Sequence, residues 1–142
     1  LKPLTSMRLA EQFEELRADS IKYKSIFGHY PKVNIMVLGK LLDYKPRLDF
    51  ITGMLSAGGI EAVILKPDQP ECSSADKPII VCGKDEAYES FDFTHVTQGA
   101  NVYAAGRLNK DQLDQSGIHE CIYQGMDVYV FLKKLQFQLG VS

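Results

Sequence analysis

Val33-Asn34-Ile35-Met36-Val37-Leu38-Gly39-Lys40-Leu41-Leu42-Asp43-Tyr44-Lys45-Pro46-Arg47 runs from a mostly apolar segment through a glycine toward a helix. Open α/β sheets hold ligands at this place, in the loops at the carboxyl ends of their strands. The groups such a loop would use are missing: no histidine, hydroxyl run or glycine cluster stands between Gly39 and the helix that follows. The stretch points to a domain that keeps a ligand-binding fold for a structural or partner-binding purpose.

Upstream, Leu9, Phe13, Leu16, Tyr23 and Phe27 recur at helical steps, with Glu11, Glu14, Glu15, Arg17 and Lys24 between them. This predicts one amphipathic helix, stopped by Gly28 and followed by an extended turn at Pro31. Its apolar face must pack on the following domain or join a neighbour upstream. Residues 1–30 are therefore read as a lead-in helix and linker to an upstream domain, and 31–142 as one α/β domain. Within the latter, strands are expected at 33–38, 61–65, 78–82, 101–105 and 120–122. Helical segments are expected at 46–57, 85–91, 110–116 and 127–139, with Pro46 in a first helical turn and Gly58-Gly59 at that helix's end. Residues 66–77, rich in proline, serine and aspartate, read as a loop where a crossover helix would be usual. Short apolar strands separated by helices imply a parallel sheet covered on both faces. The expected fold is flavodoxin-like (Rossmann-like), a five-stranded α/β sheet in the order 2-1-3-4-5.

Length and charge narrow the function. A chain of 142 residues suits one domain with a sizeable core. Sixteen basic and eighteen acidic side chains, with no stretch concentrating Lys or Arg, argue against nucleic acid as a partner. No apolar run approaches the roughly 20 residues of a membrane span, so a soluble, cytoplasmic protein is expected. Because the sequence opens on Leu1 without a signal pattern, it reads as a piece of a longer protein. Cys72, Cys82 and Cys121 are too far apart for a zinc knuckle or redox pair and fit a reducing compartment; Cys82 and Cys121 read as small core residues. His29 reads as a capping or surface residue beside Tyr30-Pro31, and His95 and His119 have no second ligand at an i+3 or i+4 step. Lys84-Asp85-Glu86 reads as a solvated first helical turn, and Asp43 with Arg47 as a surface ion pair at i,i+4 spacing. No catalytic residue and no metal ligand is assigned.

Phe13-Glu14-Glu15-Leu16-Arg17, Leu38-Gly39, Ala57-Gly58-Gly59-Ile60-Glu61-Ala62 and Tyr103-Ala104-Ala105-Gly106-Arg107 together carry a resemblance. In their order and spacing the chain resembles the cobalamin-binding domain of methylmalonyl-CoA mutase, and more closely the matching C-terminal domain of that enzyme's small, non-catalytic subunit. In cobalamin-binding members the loop after the first strand carries Asp-x-His-x-x-Gly, whose imidazole coordinates cobalt. Here Leu41 stands in place of the Asp, Asp43 of the His and Pro46 of the Gly. Imidazole is a good ligand for such a metal, and a second carboxylate usually orients it; Asp43 and Leu41 supply neither part. Family members also use Ser-x-Leu after the third strand and Gly-Gly after the fourth to admit the cofactor's nucleotide tail. This chain has Cys82-Gly83-Lys84-Asp85 and Gly106-Arg107, which places a long cation where the second glycine leaves room. Arg107 is expected to fill that slot; the alternative is that it holds an anionic group.

The resemblance implies a structural, assembly domain of the small subunit of a heterodimeric mutase, neither catalytic nor cobalamin-binding. Leu41, Asp43, Pro46, Gly83, Gly106 and Arg107 would then be vestigial pocket positions. The expected partner is the large subunit, which holds adenosylcobalamin and interconverts methylmalonyl-CoA and succinyl-CoA. One alternative is a domain that still binds cobalamin, with Asp43 or a water below cobalt, or another small ligand in the strand-end crevice. A signalling receiver is the other. It would need acids after the first strand, a phospho-accepting Asp after the third and a Lys after the fifth, where this chain has Leu38-Gly39, Cys82-Gly83 and Tyr123. A flavodoxin phosphate loop fares no better, since Leu41, Leu42 and Pro46 lack the hydroxyls and free amides it uses.

Overall fold

In the computed structural model, which describes residues 2–67, 77–90, 101–109, 111 and 118–141, every strand of the sheet runs parallel to its neighbours. In chain order the elements are α1 (Lys2–Phe27), β1 (Lys32–Val37), α2 (Leu41–Ala57), β2 (Glu61–Leu65), β3 (Ile79–Cys82), α3 (Asp85–Ser90), β4 (Val102–Ala105), β5 (Glu120–Ile122) and α4 (Val128–Gln138). The strand order is β2-β1-β3-β4-β5, as the alternation of elements predicts. Ile35 of β1 lies between Ile64 of β2 and Ile80 of β3, and Ile80 stands beside Tyr103 of β4.

Side chains alternate across the sheet, so two cores form. On one face Val33, Ile35, Val37, Ile80, Cys82, Tyr103, Ala105 and Ile122 pack with Leu16 of α1, Ile51 and Leu55 of α2, and Phe131, Leu132 and Leu135 of α4. On the other, Met36, Leu38, Val81, Val102 and Ala104 pack with Tyr88 of α3. β3 and β4 are buried at every position, which is why they read as unbroken apolar runs.

The lead-in helix packs on this domain. Leu16 is fully buried and Phe13 packs against the core, whereas Phe27, expected on the same face, is 57% exposed. A buried polar cluster fixes the docking: Gln136 Nε2 donates to Leu16 O (2.8 Å) and Ser20 Oγ (3.0 Å), and Ser20 Oγ donates to Gly58 O (2.7 Å). At the rim Lys133 Nζ reaches Glu15 (3.1 Å) and Asp19 (3.0 Å).

Two boundaries differ by more than one residue from the sequence reading. α1 begins at Lys2 rather than near Leu9, because Pro3 sits in a first turn where its missing N–H costs no hydrogen bond. α2 begins at Leu41, so Pro46 lies inside it. Asp43 accepts the Lys40 N–H at 3.1 Å and stabilises a start one turn earlier. The bond that Pro46 forfeits would have ended on Leu42, which is 86% exposed, where water can replace it. The expected loop at 66–77 and short helix at 110–116 fall largely outside the described residues, as do Cys72 and His95. Among the described residues no helix is long and apolar enough to cross a membrane.

Candidate functional site

Ligands of this sheet order sit where neighbouring connections leave in opposite directions, here above the carboxyl ends of β1 and β3. Only Leu38, Gly39 and Lys40 separate β1 from α2, so the helix starts where a ligand loop would otherwise extend. Leu38 N–H donates to Cys82 O at 2.9 Å, and a Cβ built on Gly83 would come within 3.0 Å of Leu38 Cβ. The two strand ends are closely apposed.

Two side chains close the remaining space. Arg47 extends from α2 across the end of β3, and its Nη1 donates to Gly83 O at 2.6 Å. Its Nη2 lies 2.8 Å from Asp85 Oδ1, an ion pair in distance although not aligned as a hydrogen bond. The guanidinium also lies against Gly106: a Cβ there would fall 2.8 Å from Arg47 Cζ, at a φ of +133° that only glycine adopts readily. From the opposite face comes Tyr88, fully buried. Its hydroxyl accepts the Gly83 N–H (2.9 Å) and donates to Ala105 O (2.7 Å), with Val81 O farther away at 3.3 Å. Both backbone polar groups of Gly83 are thus served by side chains of this chain.

The electrostatics follow from burial. Desolvation pushes the Tyr88 phenol up to about 12 and the Cys82 thiol up to about 12, so both are neutral at physiological pH. Burial pulls against the charge on Arg47, but contacts with Asp85 and Tyr88 outweigh it and the guanidinium pKa is raised. The Lys40 N–H, and then Lys84, hold the Asp43 carboxyl below its ordinary range.

These contacts correct the expected Asp43–Arg47 pair. Asp43 turns back to the helix start and meets Lys84 Nζ at 3.1 Å, while Arg47 pairs with Asp85. Lys84 and Asp85, read as solvated, are the partners that β3 delivers to α2. Leu41 and Leu42 are exposed at the start of α2, and Pro46 lies one turn on. Gly83 and Gly106 follow β3 and β4. Arg107 is exposed, with its Cζ 4.4 Å from the centroid of the Tyr123 ring; Arg47, instead, occupies the space beside Gly106.

The six positions singled out from the sequence therefore gather at one end of the sheet. Arg47 and Tyr88, which fill it, were not recognised as part of it. Tyr88 had one sequence signal: it is the large apolar residue of the otherwise charged or small segment Asp85–Ser90. The described histidines lie at the opposite end, His29 before β1 and His119 before β5. His29 Nδ1 is 2.9 Å from Tyr30 O, and His119 Nδ1 accepts the Val102 N–H at 3.0 Å. Cys82 is buried and Cys121 half-buried, both as free thiols. Among the described residues no group of three or more His, Cys, Asp or Glu side chains could hold a metal ion.

Beside the filled crevice, between α2 and the ends of β4 and β5, lies an open hollow of about 340 Å³. Pro46, Phe50 and Ile122 line its apolar side, and Arg107, Tyr123 and Gln124 its rim.

No protein-family model matches the chain. It is similar to proteins of Mycobacterium bovis and Mycobacterium tuberculosis, each named "Probable methylmalonyl-CoA mutase small subunit", at 30% identity over 110 residues. The match covers 71% of this chain, which spans 17% of the length of those curated relatives. This distant similarity, on the sheet described above, supports kinship with the mutase small subunit.

Proposed function

We propose that this chain is a structural domain of a mutase small subunit, one that supports assembly with a large catalytic subunit and binds no cobalamin itself. In that reading the large subunit carries adenosylcobalamin and interconverts methylmalonyl-CoA and succinyl-CoA, and this domain adds no catalytic group. The observation that carries it is the crevice at the ends of β1, β3 and β4, filled by Arg47 and Tyr88 and bridged by hydrogen bonds to both polar groups of Gly83.

The groups present do not suit a corrin. No described histidine lies at this end of the sheet, and Asp43 is engaged by the Lys40 N–H and Lys84. A cofactor tail entering between the ends of β3 and β4 would have to break the Tyr88 and Arg47 contacts, leaving buried backbone groups without partners. Leu41 and Leu42 stand exposed beside this closed surface, more apolar area than a solvated helix start requires, which favours a protein-facing role.

Titration of the chain with adenosylcobalamin, followed by absorbance, tests the first half. No saturable displacement of the lower axial base is expected, and a tight spectral shift overturns the reading. Co-purification of the large subunit with and without this segment tests the second half; unchanged recovery of the complex on its deletion would remove the assembly role.

A further inference from the structure

We infer that the hollow beside Arg107 is a binding site for a small organic anion, a single carboxylate or phosphate on a flat apolar body. The inference does not depend on the assembly role, because the hollow lies on the β4–β5 side of the filled crevice and needs neither a corrin nor a partner subunit.

Charge and shape carry it. Arg107 is the cation of this rim that no carboxylate neutralises among the described residues, whereas Arg47, which also touches the hollow, is paired with Asp85. Stacking on Tyr123 holds the Arg107 guanidinium as a flat, pre-ordered donor surface, so less rotamer freedom is lost when it grips an anion. Gln124 adds an amide at the same rim, and Pro46, Phe50 and Ile122 offer apolar surface within one ligand length.

Among the described residues no carboxylate lines the hollow. The neighbouring one, of about 510 Å³ along β5 and α4, shares Arg107 and Tyr123 with it but is also lined by Glu120 and Asp127, with Glu120 bonded to Lys134. An anion on that side of Arg107 meets fixed negative charge; on the Gln124 side no described carboxylate lines the wall. A volume of about 340 Å³ is at the lower end of small-molecule sites, which span roughly 300–1,000 Å³. That suits a single-ring body rather than a dinucleotide.

The test is a titration of the ¹⁵N-labelled chain, with phenyl phosphate and benzoate as the two head-group arms and benzyl alcohol as the neutral control. Saturable amide shifts confined to Gly106, Arg107, Tyr123 and Gln124 are expected with at least one anion. Loss of the Arg107 charge-assisted contact in Arg107→Gln should weaken that binding by about tenfold or more, while Lys134→Gln in the neighbouring hollow leaves it unchanged. Arg107 is exposed, so a dispersed spectrum of the variant verifies that its fold is intact. The inference is overturned if neither anion gives saturable local shifts, if benzyl alcohol binds as tightly as the anions, or if Arg107→Gln binds like the parent chain.

Discussion

Tyr88→Phe isolates one oxygen atom in the middle of the filled crevice. The ring is fully buried and phenylalanine keeps its apolar area, so the hydrophobic contribution is nearly unchanged. What is lost is the hydroxyl that accepts the Gly83 N–H and donates to Ala105 O. Each buried group left without a partner costs about 1–3 kcal/mol, which for these two groups sums to roughly 2–6 kcal/mol. For a domain of this size that lowers Tm by roughly 7–20 °C. Urea unfolding followed by circular dichroism should show a lower midpoint at an unchanged slope.

The same variant carries a pH signature. The folded pKa of Tyr88 is raised from 10.0 to about 12, so the stability linked to its neutral form is complete below pH 10 and is lost as pH rises toward 12. That difference amounts to roughly 2–3 kcal/mol, and Tyr88→Phe should flatten this part of the alkaline limb relative to the parent chain. A variant within about 0.5 kcal/mol of the parent, a scatter usual for surface changes, would mean that the hydroxyl does not hold the strand ends together.

Gly106→Ala should destabilise by about 2–4 kcal/mol, since it combines a strained φ with a clash on the Arg47 guanidinium; Gly125→Ala, with positive φ and open space, should cost only about 1–2 kcal/mol in the same unfolding assay. Cys82, buried with its thiol raised to about 12, should resist iodoacetamide in the native chain at pH 8, where only about one molecule in ten thousand is thiolate. Peptide mapping should find it alkylated only after unfolding. Gln136→Leu removes the donor shared by Leu16 O and Ser20 Oγ; it should cost about 1–3 kcal/mol and accelerate amide exchange in α1 ahead of the sheet.

The sheet was legible because burial on both faces leaves a plain mark: Ile79–Cys82 and Val102–Ala105 are apolar at each position, and the glycines after them end the runs. Legibility failed where tertiary geometry chose among equally good local options. Pro46 is acceptable in a first turn, but it is also tolerable farther in when the bond it lacks lies at the surface, and the Asp43 carboxylate on the Lys40 N–H decided for the earlier start. Spacing favoured Asp43 with Arg47, yet the end of β3 brings a lysine and an aspartate to the same helix, and each α2 charge takes the nearer partner. Tyr88 was hidden by its neighbours: among Asp85, Glu86 and Glu89 nothing in sequence announces that its hydroxyl bridges two strands.

A strand-end crevice is a problem of unpaired backbone before it is a binding site. Where chain connections leave a sheet in opposite directions, amides and carbonyls at the strand ends lose their ladder partners, and they must be served by a ligand, by water or by side chains. Gly83 shows the third solution, with its N–H on the Tyr88 hydroxyl and its carbonyl on the Arg47 guanidinium. Arg47 arrives from one face of the sheet and Tyr88 from the other, so neither could be inferred from the loop itself. A domain that meets this need internally can keep the sheet order of a ligand-binding fold while depending on no cofactor for its stability. Replacing both residues by alanine should therefore leave the sheet deprived of partners at one specific end. Urea-gradient exchange would reveal it as premature opening of the Gly83 and Gly106 amides, while the amides at the His119 end keep the protection of the parent chain; uniform loss of protection at both ends would refute a local role for the pair.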